Sequence, residues 1–328
     1  MTMIYAGIDE AGYGPIFGPL VITRSVFSIH DNDFTPESPP SLWGLLKTSV
    51  CKKAADKKRR IAVNDSKKIY NPRTGFRHLE RGVLAFAGTT EAPVPGNMDA
   101  IFKKFGLDDD SFPAAQDWYQ SRDGSPKLPL VMEKKKIRRD AARLKRNMDR
   151  SRIQLKSLKS AVIFADRFNR MTKSLGSKSG CAWVFVSQHL EYIWNYYGSR
   201  FPLAVVDRQG GRRDYLRLLN ILFPFTNIEE RENTAKRRSY DIDYPGKRMR
   251  VIFQVDSEKH HLPVALASMA SKYLRELCMI RFQEFWRIHA PEVRPTFGYF
   301  GDGRRFLNEI SGRLEELKID KNKLVRCC

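Results

Sequence analysis

Two adjacent carboxylates, Asp9 and Glu10, stand where a short apolar run, Met3–Ile8, gives way to a turn holding Gly12, Gly14 and Pro15. An apolar run bounded by glycine and proline predicts a buried strand. Successive strand side chains point to opposite faces, so the two acids can serve one site only if the pleat breaks there. Gly12, Gly14 and Pro15 are the residues that would break it. Two further predicted strands, Pro202–Asp207 and Met249–Val255, run into Asp207 and Asp256. Hard oxygen ligands at strand ends suit Mg²⁺ or Mn²⁺ and phosphoryl chemistry. Taken alone, residues 9–15 also fit a solvated acidic turn after an edge strand. A dinucleotide loop fits less well, because Gly18 follows Gly14 by four residues instead of three. Two carboxylates beside such a loop would also repel a pyrophosphate unless a cation stood between them.

Cations accompany the acids. Asp65-Ser66-Lys67-Lys68 reads either as a helix cap before a basic turn or as a phosphate contact, with Lys67 or Lys68 as the cation and Ser66 as a hydroxyl donor. Glu133–Lys159 is predicted as one long helix with twelve Lys or Arg against three acids. Its apolar stripe, Ile137, Leu144 and Met148, is thin. The helix therefore rides on the surface, and its charge excess favours an electrostatic contact with nucleic acid over a merely solvated face. No Cys–His or Ser–His pairing suggests a side-chain nucleophile. His260-His261 is the only histidine cluster near an acid, open to a proton or phosphate role or to a plain loop position.

The elements that must position these groups alternate between strand and helix. Leu20–Phe27 reads as the hairpin partner of the first strand, Ser41–Ala55 as a helix, and Lys52–Arg60 as a basic run. A helix is expected near Arg77, after Pro72. Residues 88–150 form a loop-rich insertion running into the basic helix, within a catalytic domain made of 1–87 and 151–328. Ser160–Phe164 resumes strand character, Trp183–Trp194 is an apolar helix, and Arg208, Gln209, Gly210 and Gly211 supply a turn after Asp207. Asp214–Leu222 is a short helix. Pro263 suits the first turn of a helix reaching about Ile288. Leu266, Ala270, Tyr273, Leu277 and Ile280 make its core face, and Ser268, Lys272 and Arg275 make a second stripe. Such alternation argues for an α/β fold with its site at strand ends.

At 328 residues and 42% hydrophobic content the chain can bury a sizeable core. Its net charge of +21 attracts polyanions, with nucleic acid ahead of an anionic membrane. No apolar run reaches the ~18–20 residues of a membrane span. Acids at positions 9 and 10 argue against a removable leader. Five cysteines without C-x-x-C spacing suggest a reducing, cytoplasmic home.

Together these segments resemble type 2 ribonuclease H (ribonuclease HII). That family opens with an Asp-Glu-Ala-Gly strand end and an Asp-Ser-Lys-Lys segment. It continues with a Val-Asp strand end and an Asp upstream of an Ala-Ser-x-x-Ala-Lys-type helix. The matching residues are Asp9-Glu10-Ala11-Gly12, Asp65-Ser66-Lys67-Lys68, Val206-Asp207, and Asp256 before Ala267-Ser268-Met269-Ala270-Ser271-Lys272. Gly298-Tyr299 stands where the family has an active-site tyrosine, so the likeness spans residues 4 to about 310. It implies a ribonuclease H-like fold, a mixed central sheet flanked by helices, with a large basic insertion. It implies that Asp9, Glu10, Asp207 and Asp256 hold two Mg²⁺ or Mn²⁺ ions about 4 Å apart. One ion would activate a water against the RNA phosphate and the other would stabilise the leaving 3′-oxygen. The expected activity is cleavage of the RNA strand of RNA–DNA hybrids, leaving 5′-phosphate and 3′-hydroxyl ends. Gly12, Tyr13, Gly14, Ser66, Lys67, Lys68, Ser268, Lys272 and Tyr299 would bind substrate, the glycine loop and tyrosine reading the 2′-hydroxyl. The partner is nucleic acid, no membrane is involved, and no dedicated protein partner follows. Three features depart from the family: Tyr13 replaces its usual Arg, the Asp65–Asp207 spacer is longer, and two extra residues precede Ser268. The first points toward longer hybrids over single ribonucleotides. A non-catalytic binder on this fold, or a related nuclease acting on DNA or structured RNA, are the alternatives.

Overall fold

The first strand and its hairpin partner, β1 (Thr2–Ala11) and β2 (Leu20–His30), pair antiparallel along their whole length. The computed structural model describes residues 2–30, 34–70, 75–90, 93–107, 116–120, 124–208, 212 and 214–327. Gln209, Gly210, Gly211 and Pro72 lie outside these. β5 (Ile153–Ile163) joins the far side of β2 antiparallel. β6 (Leu203–Asp207) runs parallel to β1, and β9 (Lys247–Gln254) parallel to β6. β8 (Arg237–Tyr244) and β7 (Asn227–Asn233) complete a seven-stranded mixed sheet in the order β5-β2-β1-β6-β9-β8-β7. Both faces are covered, as expected for a mixed sheet flanked by helices. β3 (Val50–Cys51) and β4 (Ile61–Ala62) form a separate parallel pair.

Alternation along β1 assigns the two cores. Met3 and Tyr5 face one, and Ile4, Ala6 and Ile8 face the other. On the first face lies α9 (Leu262–His289), which carries the predicted Pro in its first turn and is buried nearly all round. It presses against Gly7, where an added Cβ would stand 2.2 Å from the Val264 nitrogen. Ser25 donates to the Pro263 carbonyl at 2.7 Å and fixes the same contact. α3 (Arg77–Ala87) packs beside α9 on this face. The second face takes α6 (Ala165–Leu175) and α7 (Lys178–Tyr197), with α8 (Leu216–Leu222) beyond.

Several boundaries differ from expectation. Ser41–Ala55 keeps only one helical turn, α1 (Leu42–Leu45), before β3. The basic helix, α5 (Lys134–Arg150), stops where Arg152 takes a φ of +52°, and β5 follows with Ile153, Leu155 and Ser157 alternating inward. The loop-rich insertion expected over 88–150 contains α4 (Met98–Phe105), which sends Ile101, Phe102 and Phe105 into the same core as Phe27 and Phe86. The edge strand β7 is polar apart from Ile228, and β8 beside it has only the short alternation Tyr240-Asp241-Ile242, with Tyr240 and Ile242 in the second core; neither is expected. α2 (Ser66–Ile69), α10 (Phe300–Glu309), α11 (Ser311–Glu316) and α12 (Lys321–Leu324) are short surface elements. Among the described residues no helix is long and apolar enough to cross a membrane.

Candidate active site at two strand ends

Parallel pairing of Ile8 with Val206 carries the next residues, Asp9 and Asp207, to neighbouring positions on adjacent strands. Strands in a sheet lie about 4.8 Å apart, and residues in register share a face. Both acids therefore stand on the α9 face. Asp9 is 7% exposed. Burial first, then the Asp207 and Glu10 charges, push its carboxyl well above the ordinary range, against hydrogen bonds from Ser268 and the Glu10 amide. Asp207 is pushed up by burial and by Asp256, against hydrogen bonds from Ser257 and the charge of Lys67. Ser257 gives it two bonds, from its amide at 3.1 Å and its hydroxyl at 2.9 Å.

Glu10 is not brought alongside by a broken pleat. The β1–β2 ladder runs without interruption through Asp9–Thr23, Glu10–Ile22 and Ala11–Val21. Glu10 thus lies on the face opposite Asp9, within electrostatic reach of Tyr13 and Asp9. The turn that was to break the strand begins one residue later.

Asp256 also departs from expectation. β9 ends at Gln254, which occupies the place beside Asp207 in the sheet. Asp256 sits two residues beyond, at a φ of +55° that Asp tolerates better than most residues. Its side chain is 56% exposed and paired with Lys259 at 2.5 Å, and that bond holds its carboxyl low. Its neighbour in the 3₁₀ turn Ser257–Lys259 is the residue the sequence reading missed. Glu258 is buried, and burial followed by the Asp207 charge raises its carboxyl to about 7, with Asp65 and Asp256 adding to the shift. A signal for it was present. Glu258 precedes Ser268 by ten residues and Asp256 precedes it by twelve, and that difference is the two-residue excess already noted.

The remaining residues divide into those that face outward and those that hold the frame. Ser66 and Ser268 are buried, and the Ser268 hydroxyl donates to that of Ser66 at 3.1 Å. Asp65 caps α2 by accepting from the Lys67 amide at 2.9 Å. Lys67 and Lys68 are exposed, their charges felt at Asp207 and Asp256 respectively. Lys272 is held by Glu276 at 2.7 Å and lies 4.9 Å above the Tyr70 ring. Tyr299 is exposed at the start of α10. His261 is occupied elsewhere, with the Tyr5 hydroxyl 2.5 Å from Nδ1 and Gln254 at Nε2, and burial lowers its pKa to about 4. The Ser271 hydroxyl on α9 donates to the Asp9 carbonyl at 3.1 Å and shares a hydrogen bond with the Thr23 hydroxyl at 2.7 Å, fixing the strand end from below.

The loop after the acids is clamped by distant segments. Gly12 has a φ of +87°, and a Cβ there would stand 2.5 Å from the Pro19 carbonyl and 2.8 Å from Arg275 Cδ. Gly14, by contrast, faces open space, and Tyr13 is half-buried against the second core. Buried Arg275 donates to the Phe17 and Phe297 carbonyls at 3.1 and 3.2 Å. Buried Arg326 donates to the Gly12 carbonyl at 2.5 Å and also to that of Pro15. The Gly298 carbonyl accepts from the Ile16 amide at 2.8 Å.

Among the described residues no group of three or more His, Cys, Asp or Glu is gathered closely enough to hold a metal ion. The donors nevertheless fit a hard divalent cation in kind: Asp9, Asp207 and Glu258 offer carboxylate oxygens, and the Asp207 charge raises the carboxyls of both Asp9 and Glu258. Uncompensated charge of that sort is relieved by a cation or by protons.

No family model matches the chain, and no curated protein matches it. Among solved structures it is similar to the ribonuclease HII of Archaeoglobus fulgidus, solved as a complex with PCNA: identity 13%, TM-score 0.42, 98% of this chain and 93% of that chain covered. It is similar to Bst-RNase HIII in complex with Mn²⁺ at 14% identity and a TM-score of 0.42, covering 99% of this chain and 66% of that one. The ribonuclease H2 of Pyrococcus horikoshii OT3 gives 14%, 0.37, 98% and 92% in the same order. The site described above stands on its own strand register and charges.

Proposed function

We propose that this protein is a divalent-metal-dependent endoribonuclease that cuts the RNA strand of RNA–DNA hybrids. The observation that carries this reading is the side-by-side placement of Asp9 and Asp207 at the ends of parallel strands, with buried Glu258 within reach of the Asp207 charge. Buried carboxylates that raise one another in pairs, Asp9 with Asp207 and Glu258 with Asp207, suit a metal-assisted hydrolase better than a protein that only binds phosphates. Asp9, Asp207 and Glu258 would hold Mg²⁺ or Mn²⁺, with Glu10 reaching in from across the strand edge. Bound there, the metal supplies an acidified water and neutralises charge on the phosphate. The chain's own residues do the rest. Ser257 orients the Asp207 carboxylate, and Ser268 and Ser271 hold Asp9. Lys67 and Lys68 offer positive charge at the rim, and the clamped Gly12–Gly18 loop presents backbone groups to the sugar.

The test is digestion of an end-labelled hybrid, a duplex with one ribonucleotide, single-stranded RNA and duplex DNA, each with Mg²⁺ or Mn²⁺. Hybrid cleavage leaving 3′-hydroxyl ends is expected, and Asp9→Asn and Asp207→Asn should each lower the rate by at least a hundredfold while retaining hybrid binding. Cutting of DNA alone, or full activity in both variants, would sink the proposal.

A further inference from the structure

We propose that residues 52–60 and one flank of α5 form a continuous cationic track, which grips the arm of duplex lying beyond the strand-end site. The inference rests on nucleic acid being the substrate of that site. Its near end is tied to the site itself. Lys52 Nζ donates to the Lys259 carbonyl at 2.7 Å, in the same 3₁₀ turn as Glu258, and lies 4.2 Å from the Trp43 ring centre. Asn64, which precedes the Asp65 cap, donates to the Lys52 carbonyl at 3.1 Å. From there the loop exposes Lys53, Lys57, Lys58 and Arg59. Its one acid, Asp56, is bound by Arg60 at 2.8 Å.

The far end is tied to α5. Arg81 donates to the carbonyls of Arg59 at 2.6 Å and Arg60 at 3.0 Å, and Arg143 of α5 donates to that of Arg59 at 3.3 Å. Arg81 is paired in turn with Asp140, the buried acid of α5, at 2.7 Å. Thus arginines hold the loop by its backbone while its own cationic side chains point into solvent. Arg139, Arg143, Arg146 and Arg150 follow helical spacing along the flank that meets the loop. Ile137, Ala141, Leu144 and Met148 make the opposite, buried stripe. Asp140 is shared between Arg81 at 2.7 Å and, at longer range, Lys136 at 3.6 Å and Arg143 at 3.5 Å, so cations outnumber acids on this flank.

Seventeen residues of helix span about 25 Å. A duplex turn covers about 34 Å, or 10 base pairs. Helix and loop together therefore match roughly one turn of duplex. Fixed cations at that length are complementary to a phosphate backbone, whose charge spacing is about 1.7 Å along the axis.

The experiment measures binding by fluorescence anisotropy without divalent metal. The probes are labelled RNA–DNA hybrids of about 8 and about 24 base pairs, lengths that fall short of and exceed one turn. The variants are Lys53→Glu/Lys57→Glu, Arg139→Glu/Arg146→Glu, and a control of equal charge change outside the track, Arg200→Glu/Lys247→Glu, where β6 and β9 begin. Each track variant should lose tenfold or more in affinity for the long hybrid at ~0.1 M salt, less than twofold for the short one. The slope of log K against log salt should fall by about two. The control should match wild type. Equal weakening by the control and equal loss on the short hybrid would each overturn the track. Tight hybrid binding without cleavage by wild type would end the nuclease reading and leave the track standing. Cleavage with unimpaired binding by the track variants would do the reverse.

Discussion

Glu258 and Asp256 differ by two positions and by everything that matters to a metal site. Asp256 is solvated and already neutralised by Lys259. Glu258 is buried, and the Asp207 charge adds to burial in raising its carboxyl. Neutralising the first should therefore change cleavage less than threefold, whereas Glu258→Gln should slow it at least tenfold, as measured under single-turnover conditions. Stability should separate them too. The folded-state pKa of Glu258 is raised from 4.5 to about 7, so the proton is held more tightly in the fold than in the unfolded chain. The stabilisation this gives is fully present below about pH 4.5 and is lost as pH rises through 7. At pH 8 without metal, Glu258→Gln should melt higher than wild type, and at pH 4 the two should coincide. Added Mn²⁺ should raise the wild-type midpoint at pH 8 and leave that of the variant less changed. Equal melting of the two proteins at both pH values would remove Glu258 from the buried acid cluster.

At the level of elements, the site depends on contacts between segments far apart in the chain. Arg326 lies more than three hundred residues from Gly12 in sequence and holds its carbonyl. Replacing it with Gln leaves buried carbonyls of the Gly12–Gly18 loop short of a charged donor, worth about 1–3 kcal/mol. The expected outcome is a loop that binds substrate less well: KM rises about fivefold or more, kcat falls less, and Arg326→Lys restores part of the difference. An unchanged KM with a lowered melting point would make Arg326 a purely structural residue. The elements most legible in the sequence were those with one dominant local signal. The Pro202–Asp207 run and the Pro263-led helix fall within two residues of expectation, and the apolar run before Asp9 is a strand that continues three residues past Ile8. Less legible were elements decided by tertiary pairing. Ile153–Lys159 continues the basic composition of α5, yet joins the sheet because its alternate residues meet β2. β7 is polar apart from Ile228 and is a strand only because β8 pairs with it. Glu258 belongs to the same class, since its neighbours Asp207 and Asp65 come from elsewhere in the chain.

For the whole molecule, charge and architecture address the same partner. A net charge of +21 draws polyanions from a distance, over a Debye length of about 8 Å at physiological salt. Close to the surface, acids are withheld from solvent at the strand ends while lysines and arginines stand outside them. The sheet supplies the rigidity: β1 and β6 are central strands, so the separation of Asp9 and Asp207 is set by backbone hydrogen bonds and not by loop conformation. The account therefore comes down to whether those two acids, with Glu258, bind a divalent cation. Titration of Mn²⁺ against wild type, Asp207→Asn, Glu258→Gln and Asp256→Asn, followed by the loss of free-ion paramagnetic resonance signal, reads this without reference to any substrate. Wild type and Asp256→Asn should take up Mn²⁺ alike, and Asp207→Asn and Glu258→Gln should bind it at least tenfold more weakly. Undiminished uptake by Asp207→Asn would contradict the account.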